Sequence, residues 1–430
     1  MKRYLIRAGF NPTQLYTPKD YLLSSRSIIG NNNGNLLYAY GVMNAIKTEE
    51  VEYGFLYEVD RPALTDIEIS FINENYDAFI IPMADAFRPQ YIQQLKWYTN
   101  LIHKLSIPVI IIGIGMQASY EPDLGASYIF DTSVYDFVSA VLDHSSLIGL
   151  RGEITGSYLN KLGFKEDLHY TPIGCPSLYT YGDSYVNRPA PSIDALENGR
   201  LLFNANAYQH EFGSEINDFI LNSIRFMNNH IMIQQITYEF YDLYIDKYLI
   251  GNKSYINKIL EKHEYEKLKK ENSVKYFLDA PSWIDYCRRF TLFIGNRFHG
   301  CVAAILSGIP YVFIPFNART REMVEFHHLT HINHQELKVG QSIVDNVEKL
   351  YFNSLEKQHH HNFEHYLAFL NKNGLESIFS KKKSYKFGES PLEKKVCLSS
   401  PFDCYNSLTT IKKISRIIKT NMWNLGGKFR

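Results

Sequence analysis

The segment FIGNRFHGCVAAILSGIPYVFIPF, residues 293–316, decides the fold. An apolar, strand-like run ends at Gly295. A helical pattern follows, with Phe298, Val302, Ile305 and Leu306 on one face. Gly308 suits the position that closes a helix, and Pro310 prevents its continuation. From Tyr311 the chain is apolar and strand-like again. The order strand, turn, helix, strand is the unit of a parallel α/β domain. Asn296 is expected as the N-cap of the helix. Arg297 and His299 then occupy its first turn, where a cation costs about 0.3–1 kcal/mol. An anion at the carboxyl end of the strand would compensate. The competing reading pairs Arg297 with a carboxylate across the domain and leaves His299 as a satisfied core histidine.

The same theme extends in both directions. YDAFIIPM (76–83) and IPVIIIGIG (107–115) are continuous apolar runs, as in parallel strands buried on both faces. Between them Ile92, Leu95, Tyr98 and Ile102 share a helical face. SSLIGLRG and DLHYTPIGCPSLY add further strand-then-turn units. NRPAPSIDALENG (187–199) is rich in proline and polar residues and breaks the pattern. A second series follows in RLLFNANAY, IMIQQI, VKYFLDA, FTLFIGN and IPYVFIPF. The organisation expected is a first α/β domain over 1–187, a linker over 188–199, a second α/β domain over 200–345, and a helical, basic extension over 346–430. Each α/β domain should be Rossmann-like and doubly wound, the two facing a cleft.

Several residues at strand ends then become site candidates. Arg151 follows a strand in GLRGE, Asp85 and Arg88 follow one in MADAFRP, and Arg319 and Arg321 follow one in FNARTREMVEF. Converging arginines would hold a small, highly anionic ligand bidentately. The loop IIGNNNGNLLYAYGVMNAI (28–46) runs into a helix, and Gly30 and Gly34 let backbone approach a ligand. His327, His328, His331 and His334 have helical spacing but lack the acidic or cysteine partners of a metal site. HHHNFEH (359–365) reads as solvated surface on a helix.

Composition excludes other classes. Lys+Arg and Asp+Glu are both 45, which gives no electrostatic footprint for nucleic acid. The 45% hydrophobic and 14% aromatic content is ample for large cores. Five cysteines without CxxC spacing read as free thiols in a reducing compartment. With no signal-peptide pattern and no run long enough to span a bilayer, a cytoplasmic protein is expected. Residues 381–430 hold 12 Lys/Arg against 3 Asp/Glu. Within them, 406–425 winds into a basic amphipathic helix, suited either to the protein body or to peripheral contact with an anionic membrane at the inner face.

The motifs GNNNGNLL, GIGMQ, IGLRGEITGSYLNKLGF, IGCPSLY, GNRFHGCVAAILSGIPYVFI and NARTREMVEF stand in that order. On these the chain resembles the polysaccharide pyruvyltransferase family over about residues 28–335. The Arg-x-His-Gly signature before an alanine-rich helix is the most specific of them. The resemblance implies a GT-B-like architecture and transfer of a pyruvyl group from phosphoenolpyruvate to sugar hydroxyls, with ketal formation and no metal or other cofactor. It implies donor contacts at Arg297, His299 and the Arg151 region, joined by Asn296, Arg319 and Arg321. His299 is expected to touch phosphate and transfer a proton, and Asp85 to act as base toward the acceptor hydroxyl. Asn33, Gly34, Asn35 and Arg88 fall on the acceptor side, where a glycan or lipid-linked sugar would bind. The family's early loop often carries Gly-Asp, whereas Gly34 is followed here by Asn35. Two rival functions share these features: a GT-B glycosyltransferase using a sugar nucleotide, and a non-catalytic module binding an anionic glycan.

Overall fold

The computed structural model describes residues 1–389 except 10, 15, 17–28, 30–31, 49, 58–62, 187–188, 205–213, 228, 234, 237–238, 241–261, 382–385 and 387. The tail helix expected over 406–425 and Gly30 therefore lie outside the described residues.

Two parallel sheets organise the chain. The first contains β1 (Lys2–Arg7), β2 (Val51–Leu56), β3 (Ala78–Pro82) and β4 (Val109–Ile112) in the order β2-β1-β3-β4. β5 (Ile148–Leu150) and β6 (Tyr170–Pro172) pair with each other and join β4 through the bridge Ile114–Leu150. The second sheet contains β7 (Arg200–Asn204), β8 (Asn229–Ile233), β9 (Val274–Lys275), β10 (Leu292–Gly295) and β11 (Tyr311–Phe313) in the order β11-β10-β7-β8-β9. Strand order reverses at β1/β3 in the first domain and at β7/β10 in the second. These are the switch points at which open parallel sheets form a crevice.

Every apolar run marked in the sequence from residue 76 to 316 contributes a strand. β1 and β2 were not marked. β2 is an edge strand, with only Val51 and Leu56 buried, so it lacks the continuous apolar run of an inner strand. Helices cover both faces of the first sheet. Those at 66–75, 92–102, 131–142 and 153–161 pack on one face, and Gly34–Ile46 on the other. The architecture is α/β and GT-B-like, two Rossmann-like domains around a cleft. The first sheet ends at β6 and the second begins at β7, with a short helix, Ile193–Glu197, in the segment between.

The first part of the extension packs on the first domain. Helix Glu356–Lys372 lays Phe363, Tyr366, Phe369 and Leu370 into the core that holds Tyr4, Ile6, Val42 and Ile110 of the first domain. Asn373 accepts from the backbone of Ser146 and Leu147, and the Ser377 hydroxyl donates to Ala45 O. The HHHNFEH tract is likewise not a solvated face throughout. His359 is buried against Gly182 O, and the ring of His365 hydrogen-bonds Thr171 Oγ1 at 2.8 Å. The helix carries its own apolar stripe, and only packing reveals which domain covers it. Among the described residues no helix is long and apolar enough to cross a membrane.

Candidate active site

The domains meet through a shared apolar cluster. Leu37, Tyr38 and Cys175 of the first domain pack with Phe298, Val302 and Met323 of the second. Cys175 N donates to His327 Nε2 at 2.8 Å across this seam. A cluster of charged groups lies beside it, built from the carboxyl ends of β3 and β5 and from two helix starts in the second domain.

Helix Phe298–Ser307 is buried at every position and ends at Gly308, whose φ of 78° is the left-handed conformation glycine adopts most readily. Its start lies one residue later than the sequence suggests. Arg297, not Asn296, is the N-cap, and it makes no side-chain cap hydrogen bond. His299 therefore sits in the first turn, with no acidic residue there to compete. Its ring is edge-on to Tyr38 at 5.9 Å. A Cβ on Gly34 would lie 2.5 Å from His299 Nδ1, so glycine is what lets the helix start of Gly34–Ile46 reach the imidazole.

Arg151 follows β5 and is fully buried. Its Nε donates to Gly113 O at 3.1 Å, and its guanidinium faces the rings of Tyr38 at 5.0 Å and Phe298 at 5.7 Å. Among the described residues both terminal nitrogens lack a hydrogen-bond partner, as do His299 Nε2 and Arg319 Nε. Buried donors are normally satisfied, so four orphaned nitrogens on three neighbouring side chains point to an acceptor-rich ligand. Asp85 faces the same space. Its Oδ2 accepts from Arg88 Nη1 at 2.8 Å and lies 3.7 Å from Arg319 Nη1. Burial raises the Asp85 carboxyl, but Arg88, Arg319 and Arg151 overcome this and hold it at about 2. Burial pushes His299 well below the usual imidazole range; Arg151 and Arg319 act the same way, and only Asp85 opposes. The imidazole is thus neutral.

Other expected residues are placed elsewhere. Arg297 forms a buried bidentate pair with Glu239, which also accepts from the backbone of Gln235 and Ile236. This is the carboxylate partner of the competing reading; among the described residues Arg297 Nε has no hydrogen-bond partner. Asn296 is buried beside it. Arg321 pairs with Glu325 at 2.7 Å, because two residues along a helix turn the side chain about 200° from Arg319. Asn33 joins the domains instead of facing the cleft: its Nδ2 donates to Phe277 O and its backbone N to Gln235 O. Asn35 Nδ2 donates to Ile29 O, and the residue lines a separate small pocket with Arg7 and Tyr57. Arg88 stays at the cleft through Asp85 and Gln117.

Two participants escaped the sequence reading. Tyr38 is the ring against which Arg151 and His299 both pack, and its hydroxyl is held by the Ile112 and Gly113 carbonyls. Glu322 is a buried carboxyl one turn along from Arg319. Burial pushes it up to about 8 against the pull of Thr155. Its spacing from Arg319 in NARTREMVEF was the available signal. Among the described residues no group of His, Cys, Asp and Glu is placed to hold a metal ion.

This architecture, with arginines of both halves around Asp85, defines a two-domain α/β cleft protein. The model of the polysaccharide pyruvyl transferase family matches residues 12–317. The chain belongs to that family. No curated protein matches it in sequence. Among solved structures, an uncharacterized protein from Klebsiella pneumoniae is similar at 13% identity, with 77% of this chain and 93% of that chain covered and a TM-score of 0.38. The UDP-GlcNAc 2-epimerase of Methanocaldococcus jannaschii, solved with UDP-GlcNAc and UDP, is similar at 11% identity over 86% of this chain and 99% of its own, with a TM-score of 0.42. That of Neisseria meningitidis, bound to UDP-GlcNAc, gives 10%, 87%, 100% and 0.42. Likeness at this level says nothing of chemistry.

Proposed function

We propose that the protein transfers the pyruvyl group of phosphoenolpyruvate to two hydroxyls of a sugar in a cell-surface polysaccharide or its lipid-linked precursor. The observation that carries this reading is the set of orphaned donors on Arg151, His299 and Arg319. Phosphoenolpyruvate offers a phosphate and a carboxylate within a few ångströms, and the guanidinium fork matches both.

In the proposed reaction one sugar hydroxyl adds to C2 while C3 takes a proton to become a methyl group. The C2–O bond to phosphate then breaks, and the second hydroxyl closes the ketal. The two hydroxyl protons end on C3 and on the released phosphate, so the sum balances without metal or cofactor. The proton of the first hydroxyl ends on C3, and neutral His299 takes the proton of the second hydroxyl as the ring closes and passes it to the released phosphate. Arg151 and Arg319 stabilise the charge that phosphate gains. Asp85, held ionised at about 2, is too weak a base for the hydroxyl. It instead orients Arg88 and Arg319 and faces the positive charge developing at C2.

A sugar-nucleotide transferase would use the crevice at the β7/β10 switch point. Asn204, Arg297 and Glu239 lie at that point. The proposed setting is the cytoplasm, with the basic tail as a peripheral contact near lipid-linked acceptors. The purified protein, supplied with a panel of glycan acceptors, should release phosphate from phosphoenolpyruvate and no nucleoside diphosphate from sugar nucleotides. The opposite pattern would overturn the assignment.

A further inference from the structure

Helix Glu153–Lys161 starts after Gly152, which has no side chain with which to cap it. The cap comes from the other domain. Glu322 accepts from Thr155 N at 3.0 Å and from the Thr155 hydroxyl at 2.9 Å. That hydroxyl in turn accepts from Met116 N at 3.0 Å, tying in the loop after β4. Two glycines make room for the glutamate. A Cβ on Gly115 would lie 3.0 Å from Glu322 Oε1, and one on Gly152 would lie 2.9 Å from Glu322 Cβ. Gly115 also backs onto Arg151, whose Cδ would be 3.2 Å from that Cβ, and Gly152 follows Arg151 in the chain.

We propose that Glu322 is a positioning residue, an interdomain latch that caps the helix after Arg151 and so sets Arg151 and Arg319 at the separation that holds the donor anion. The donor named here rests on the functional reading above. Glu322 and Arg319 are three residues apart on one helix face, so they move together. Withdrawing this helix takes Arg319 from Asp85 and uncaps the helix that follows Arg151 in a single motion. Donor affinity scales with the fraction of molecules already closed. Losing the latch therefore raises KM, while saturating donor restores closure and kcat.

Hydrogen exchange at the Thr155 and Gly156 amides and phosphate release from phosphoenolpyruvate test this on the full chain. Glu322→Ala should speed exchange and raise KM each by about tenfold or more, with kcat within about threefold of wild type. Glu322→Gln keeps an acceptor for Thr155 N–H and should recover most of both. Gly152→Ala crowds Glu322 without altering it and should reproduce the alanine phenotype; it carries the test if Glu322→Ala does not fold. Unchanged exchange and KM in these variants, or a loss of kcat that glutamine does not rescue, would overturn the latch. If the wild-type protein releases no phosphate from phosphoenolpyruvate, the donor reading fails, and exchange at Thr155 alone decides the latch.

Discussion

Arg319 Nη1 lies 3.7 Å from Asp85 Oδ2, and the two residues belong to different domains. The contact places one guanidinium of the second domain among Arg88 and Arg151 of the first. Three cations around one carboxylate leave an excess of positive charge in a low-dielectric site. That excess favours binding of an anion.

Arg151→Ala and His299→Ala should each lower turnover by about 10²–10³, the cost of losing a donor that stabilises transition-state charge. Arg151→Lys should not restore it, because an ammonium cannot reproduce two parallel N–H contacts. Phosphate-release kinetics check both; turnover near wild type in either alanine variant would remove that residue from the site.

Arg297→Ala should act on stability rather than chemistry. It strands the Glu239 carboxylate at 4% exposure, a loss of about 3–5 kcal/mol. Replacing both partners by apolar residues should recover most of that. Thermal unfolding of the single and double variants distinguishes a structural pair from a donor contact, which no apolar substitution would rescue.

Asp85→Asn should leave the pH–rate profile between about pH 4 and 8 without a displaced limb, since a carboxyl near 2 is ionised throughout. The substitution frees Arg88 and Arg319, so donor KM should hold or fall while kcat drops. Loss of an acid limb that was present in wild type would instead make Asp85 the titrating base.

Stability should peak near neutrality. Burial holds His299, His327 and His359 below the usual 6.5, so the unfolded chain binds more protons as pH falls through that value. Each such histidine removes up to about 1.4 kcal/mol per pH unit on acidification. Glu322 works the other way. Raised from 4.5 to about 8, it contributes stability that is lost as pH rises between those values. The buried histidines outweigh one glutamate below 6.5, and Glu322 dominates between that value and about 8. Melting temperature against pH should therefore have its maximum near about pH 6.5, with the alkaline decline flattened in Glu322→Gln.

The sequence by itself determined the parallel α/β architecture, because buried strands write continuous apolar runs and helices write a periodic stripe. It also placed Arg151, His299 and Arg319 at strand ends, where open sheets take ligands. It did not determine which partner each arginine takes, and only the tertiary structure decided that. Arg297 is claimed by Glu239, 58 residues away in sequence, and Thr155 is capped by Glu322, 167 residues away. Partner choice across such distances depends on how the domains meet, and no local pattern encodes it. The helix at 356–372 obeys the same rule: HHHNFEH reads as solvated surface, but the surface that buries Phe363 and Tyr366 belongs to the first domain, at the other end of the chain.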